Sequence, residues 1–148
     1  ELIVEKKLTS DAYNKVAYGR PENCGCNECK NFIHNRKSIY PEEVKQLFSD
    51  LGIDYKKETE LLHYCRMEDG MHYYGGWFHF LGKFVGKNCK IVTKNKPASL
   101  ELSPISEVFN IGFHYANDLT FFKGKEILVQ VEFNVKTPWS INRKLESE

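Results

Sequence analysis

Glu126-Ile127-Leu128-Val129-Gln130-Val131-Glu132-Phe133-Asn134-Val135-Lys136 is the stretch that decides the class of fold. Ile127, Val129, Val131, Phe133 and Val135 share one face of a strand, and Gln130, Glu132, Asn134 and Lys136 share the other. A period of two specifies a sheet strand with one face packed and one wet. Phe109, Ile111, Phe113 and Tyr115 alternate in the same way. The turn pairs Asn117-Asp118 and Lys123-Gly124 bracket Leu119 to Phe122, so the spacing predicts a three-stranded antiparallel meander from Val108 to Lys136. Upstream, Leu62 to Met67 and Met71 to Leu81 flank Glu68-Asp69-Gly70, a good hairpin turn. Leu2-Ile3-Val4 and Leu100 to Ser103 read as further short strands.

Helices are expected before this sheet. Pro41 to Leu51 carries Val44, Leu47, Phe48 and Leu51 on one face, Glu42 and Glu43 in its first turn, and Gly52 beyond its end. A weaker helix spans Asn27 to Lys37, and the Tyr40-Pro41 step separates the two. The expected architecture is α+β: a mostly antiparallel sheet of five to seven strands, covered on one face by two N-terminal helices. A chain of 148 residues makes this a single domain, 1–148. Pro138-Trp139 should dock Trp139 on the sheet rim, with Asn142 to Glu148 frayed.

Composition removes several function classes. There are 21 basic and 20 acidic residues, giving a net charge of +1, so a nucleic-acid partner is not expected. No apolar run approaches the roughly eighteen residues of a membrane span. Lys83 to Lys96 holds five lysines and no acid, the pattern of a lysine-guarded edge or solvated loop. No P-loop, GxSxG, HExxH, EF-hand or dinucleotide motif is present.

Cys24-Gly25-Cys26-Asn27-Glu28-Cys29 is the most chemical stretch. Gly25 permits a tight bend, and the three-residue spacing of Cys26 and Cys29 puts both thiols on one side of a helix start. Such thiols suit a soft metal, zinc first. A structural zinc site needs a fourth ligand, and His34, His63, Cys65 and Cys89 all remain open. The bland reading is three inert thiols at a turn. A redox CxxC would need a parallel βαβ unit, which the pattern lacks. Five cysteines, three of them clustered, fit a reducing cytoplasm rather than a disulfide framework.

The run from Met71 to Gly82 carries aromatic residues on both faces around Gly75-Gly76. Either it packs as a bulged central strand, or Tyr74, Trp77 and His79, with Arg66 on the partner strand, line a ligand pocket.

Three segments also carry a resemblance: CGCNECKNF (24–32), YPEEVKQLFSDLGID (40–54) and EDGMHYYGGWFHFLG (68–82). Through its CxCxxCxNF and YGGWFHF elements, the chain resembles a group of small uncharacterised bacterial proteins. That implies a bacterial, cytosolic source, and brings no activity and no catalytic residue. The leading expectation is a cytosolic binding or interaction module, metal-stabilised through Cys24, Cys26 and Cys29. One alternative is a small metal- or thiol-dependent enzyme using a pocket on the Tyr74–His79 strand. Another is an immunity or accessory protein that docks a partner on its sheet. The partner class is an unidentified protein or small molecule, and open sheet edges also admit a homodimer.

Overall fold

The computed structural model describes residues 2–124 and 126–147. The fold is α+β, with its helices at the N-terminus and an antiparallel sheet behind them. The first strand, β1 (Leu2–Val4), leads into α1 (Lys6–Asn14), α2 (Arg20–Cys24), α3 (Asn27–Ile39) and α4 (Glu42–Leu51). The hairpin strands β2 (Glu60–Arg66) and β3 (His72–Phe84) follow. Then come β4 (Lys90–Ile91), β5 (Ser99–Leu100), β6 (Ser103–Pro104), β7 (Phe109–Tyr115) and β8 (Leu128–Thr137). The main sheet runs β1-β3-β8-β7-β6, with β2 beside β1 along the same edge of β3.

Two helices beyond the two expected are present, and each has a local reason. Pro21 sits in the first turn of α2, where its missing N–H is no loss. On α1, Thr9 and Tyr13 fill the gap between β1 and β2 along the β3 edge. Tyr13 Oη accepts from the His79 N–H at 2.9 Å and donates to the His79 carbonyl at 3.0 Å. Thr9 Oγ1 accepts from the Leu81 N–H at 3.1 Å, and the Glu5 N–H reaches the Leu81 carbonyl at 2.8 Å. Helix side chains thus substitute for a missing strand and leave these backbone groups satisfied.

The core lies between the helices and one sheet face. Phe32, Tyr40 and Phe48 pack there on Phe78, Phe109 and Phe133. Within it sits an ionic staple. The buried Arg36 forks onto Glu22 at 2.8 and 2.9 Å and onto the fully buried Glu58 at 2.7 and 3.2 Å. Tyr40 Oη donates to the same Glu58 carboxyl at 2.7 Å.

Three expectations need correction. Residues Leu119 to Phe122 form no strand: β7 pairs directly with β8, and Phe121 instead meets the Tyr13 ring edge-on. The polar face of β8 is not wet at Gln130 and Glu132, which are 1% and 7% exposed, while Asn134 and Lys136 are half-buried. The stretch 142–147 is not frayed: Arg143–Leu145 forms a 3-10 turn, and Glu146 docks on His72. Residue 148 lies outside the described residues. Trp139 is buried at the rim as expected and packs on the His72 ring. Among the described residues, no helix is long and apolar enough to cross a membrane.

Candidate metal centre

The cysteine turn is built by two helix ends. The last residue of α2 is Cys24, and Gly25 reverses the chain with φ 71°, a left-handed conformation natural to glycine. Cys26 then caps α3, its Sγ accepting from the Cys29 N–H at 3.4 Å. The three Sγ atoms consequently lie within 4.8 Å of one another. Cys24 and Cys26 are exposed, Cys29 is buried, and all are free thiols. This cluster can hold a metal ion.

Its electrostatics are uneven. The Cys26 N–H and the neighbouring sulfurs hold the Cys24 thiol below its usual range, assisted by Arg20. Burial pushes the Cys26 thiol up. Burial, reinforced by the other two sulfurs, pushes Cys29 far up. Three thiolates at this spacing repel, so a bound divalent cation is the natural counter-charge.

The turn rests on the end of the sheet. Tyr74 Oη donates to the Glu28 carbonyl at 2.8 Å, within the turn, and accepts from Asn31 Nδ2 at 3.3 Å. Asn31 and Asn35 both donate to the Pro138 carbonyl, at 3.1 and 3.0 Å, and Asn31 Oδ1 accepts from the Ser140 N–H at 2.8 Å. These bonds lock α3 to the segment after β8. That segment carries Glu146 to His72.

A relay results that sequence reasoning missed. His63 Nε2 lies 2.8 Å from His72 Nδ1, and His72 Nε2 lies 2.9 Å from Glu146 Oε1. His72 is fully buried and His63 half-buried. The hydrogen bond from His72 holds the Glu146 carboxyl low, and Arg143 and Arg66 reinforce it. Burial and the adjacent His72 hold the His63 imidazole low. The Glu28 backbone N–H at the start of α3 holds its own carboxyl low, and hydrogen bonds from Ser147 and the Cys26 thiol add to this. No local pattern announces the relay, because its members lie nine and 74 positions apart.

The structure does not bring Arg66, Tyr74, Trp77 and His79 together as one pocket. Tyr74 is buried against α3, on the helix side of the sheet. Trp77 and His79 stand on the opposite side, beside Glu132 and Gln130 of β8. Trp77 Nε1 donates to the Asp118 carbonyl at 3.0 Å. Arg66 lies at the far end of β2, 3.5 Å from Glu146. Gly75-Gly76 marks close packing. A Cβ at Gly76 would strike the Glu60 carbonyl oxygen, and Tyr64 lies over Gly75.

His79 belongs to a second buried network. Its Nε2 meets Gln130 Oε1 at 2.8 Å, Gln130 Nε2 donates to Glu132 Oε1 at 2.6 Å, and His114 Nε2 meets the same oxygen at 2.9 Å. The Nδ1 atoms of His79 and His114 have no partner among the described residues. Burial pushes the His79 pKa down to about 4, so its neutral form prevails at pH 7.

No protein-family model, curated protein or solved structure matches the chain. An apolar groove of about 750 Å³ lies away from the thiols, between Ile3, Leu8, Tyr115 and Ile127.

Proposed function

We propose that this protein is a binding module whose helical layer is clamped by a zinc ion on Cys24, Cys26 and Cys29. The observation that carries this reading is three free sulfurs within 4.8 Å of one another on a single tight turn. Zinc suits thiolate ligands and has no geometric preference of its own from d-electrons. A reducing bacterial cytoplasm suits the free thiols and the suggested kinship with small bacterial proteins. Trp77 and His79, across the sheet from the cysteine turn, speak against an enzyme that joins a metal there to that imidazole.

Elemental mass spectrometry of untagged protein, purified without chelator, tests the reading. About one zinc per chain is expected in the wild type, and its loss is expected in Cys26→Ser. A wild type that takes up no zinc on titration, with all its thiols reduced, overturns it.

A further inference from the structure

Three sulfurs leave one position of a tetrahedral zinc unfilled. Four candidates were open on sequence grounds, and the fold separates them. His34 is exposed on α3, five residues past Cys29 and off its side of the helix. Cys65 pairs with Tyr73, and so stands on the sheet face turned away from α3. Cys89 is buried at the far side of the sheet, over Gly112 of β7. His63 pairs with Tyr74 and shares its helix-side face, though its nitrogens lie outside the 4.8 Å group that the three sulfurs form.

Three observations favour His63 positively. Its ring packs edge-on against Tyr74, with centroids 5.0 Å apart, and the Tyr74 hydroxyl is bonded inside the cysteine turn. Both helices flanking the turn, α2 and α3, pack against β2. A β-bulge follows His63 directly, at Tyr64, a feature that re-aims neighbouring side chains.

The hydrogen-bond chain then selects the nitrogen. Glu146 can only accept, so His72 donates to it from Nε2. His72 Nδ1 in turn engages His63 Nε2 at 2.8 Å. That leaves Nδ1 as the ring nitrogen of His63 open to a metal. A neutral imidazole whose other N–H is held by an outer partner is the form in which histidine binds metals.

We propose that His63 Nδ1 is the fourth ligand of the metal ion held by Cys24, Cys26 and Cys29, with His72 and Glu146 orienting its ring. This rests on the metal reading above. It turns the C-terminal segment into part of the site, since Glu146 anchors the His72 ring that occupies His63 Nε2.

X-ray absorption at the zinc edge tests it on full-length protein loaded with one equivalent of Zn²⁺. Three sulfurs and one imidazole are expected in the wild type. His63→Gln should keep the sulfurs and lose the imidazole signature. Glu146→Gln should keep both, while zinc affinity falls about 10–100-fold, as outer-partner changes do. The ¹⁵N shift of His63 Nδ1 on adding Zn²⁺ reads the same bond in the wild type without any substitution. A zinc site with three sulfurs and no imidazole, an imidazole signature that survives His63→Gln, or an unmoved Nδ1 resonance overturns the proposal while leaving the metal reading intact. A wild type that binds no zinc removes both.

Discussion

Replacing Arg36 by Met tests the ionic staple beneath α2 and α3. Arg36 makes four hydrogen bonds to two carboxylates, and Glu58 has 0% of its side chain exposed. In Arg36→Met, Glu58 keeps the Tyr40 hydroxyl and a backbone N–H but loses its cation, and becomes an uncompensated buried charge. Breaking a buried pair from one side costs about 3–5 kcal/mol. For a chain of this length that is a fall in Tm of about 6–20 °C. The penalty should also depend on pH. Burial already pushes the Glu58 carboxyl up, against the pull of Arg36. Without Arg36 it rises further. A carboxyl with a raised folded pKa destabilises the fold as pH climbs from the unfolded value through the folded one. The variant's deficit is therefore larger at pH 7 than at pH 5, and shrinks as pH falls and Glu58 takes a proton. Glu22 behaves oppositely. Burial pushes its carboxyl up, but Arg36 outweighs this and holds it low, so its contribution disappears only in stronger acid. Urea denaturation at pH 7 and pH 5 measures both effects, and Arg36→Met/Glu58→Gln should recover much of the loss. A loss under about 1 kcal/mol at pH 7, the range of exposed pairs, would refute the reasoning. So would a double variant no more stable than the single one.

Gly76→Ala should destabilise far more than Gly75→Ala, because the first methyl meets the Glu60 backbone and the second meets the movable, half-exposed Tyr64 ring; equal urea midpoints would contradict this. Tyr13→Phe strips both polar partners from buried His79 backbone groups, at about 1–3 kcal/mol for each group left unpaired. Thermal melts check it, and a neutral result would mean water replaces the hydroxyl. The His79 imidazole should stay neutral in NMR titration down to about pH 4. Its folded pKa lies below the unfolded value, so its contribution is complete above about pH 6.5 and fades as pH falls toward the folded pKa. A midpoint near 6.5 would show the ring to be solvated.

What could be read from sequence was local. The alternation through Val129, Val131, Phe133 and Val135, the face of Val44, Leu47, Phe48 and Leu51, and the Gly70 turn each carry their information within a few residues, and each stands in the structure. The cysteine turn was legible for the same reason. Leu119 to Phe122 looked like a strand because their apolar side chains serve α1 and the core rather than a ladder. Gln130 and Glu132 looked wet because polarity normally marks solvent, whereas here each finds a polar partner across the sheet. Helix α1 was missed because it has little apolar stripe, its chief role being to satisfy the β3 backbone through Thr9 and Tyr13. His63 stood among the candidate ligands, yet nothing short of the fold could select it. Its credentials come from His72, Tyr74 and Glu146, which meet it only in three dimensions.

The distribution of ties along α3 determines what a metal would contribute. The C-terminal half of α3 is held by Arg36 and Ile39, and its middle by Phe32, Asn31 and Asn35. All of these are independent of the thiols. Within α3, Cys29 is the buried residue ahead of Asn31, and among the described residues the turn meets the sheet through the bond from Tyr74 to the Glu28 carbonyl. Stripping the metal should therefore loosen residues 24–28 while the sheet and the rest of α3 stay folded. A chain of 148 residues has core enough for that. Amide hydrogen exchange with and without one equivalent of Zn²⁺ distinguishes the cases. Protection gained mainly across the cysteine turn, and at His63 if it closes the site, fits a local clamp. Uniform protection gained over β3 and β8 would mean instead that the ion stabilises the whole domain, and that the packing around Arg36 and Tyr13 is weaker than its geometry implies.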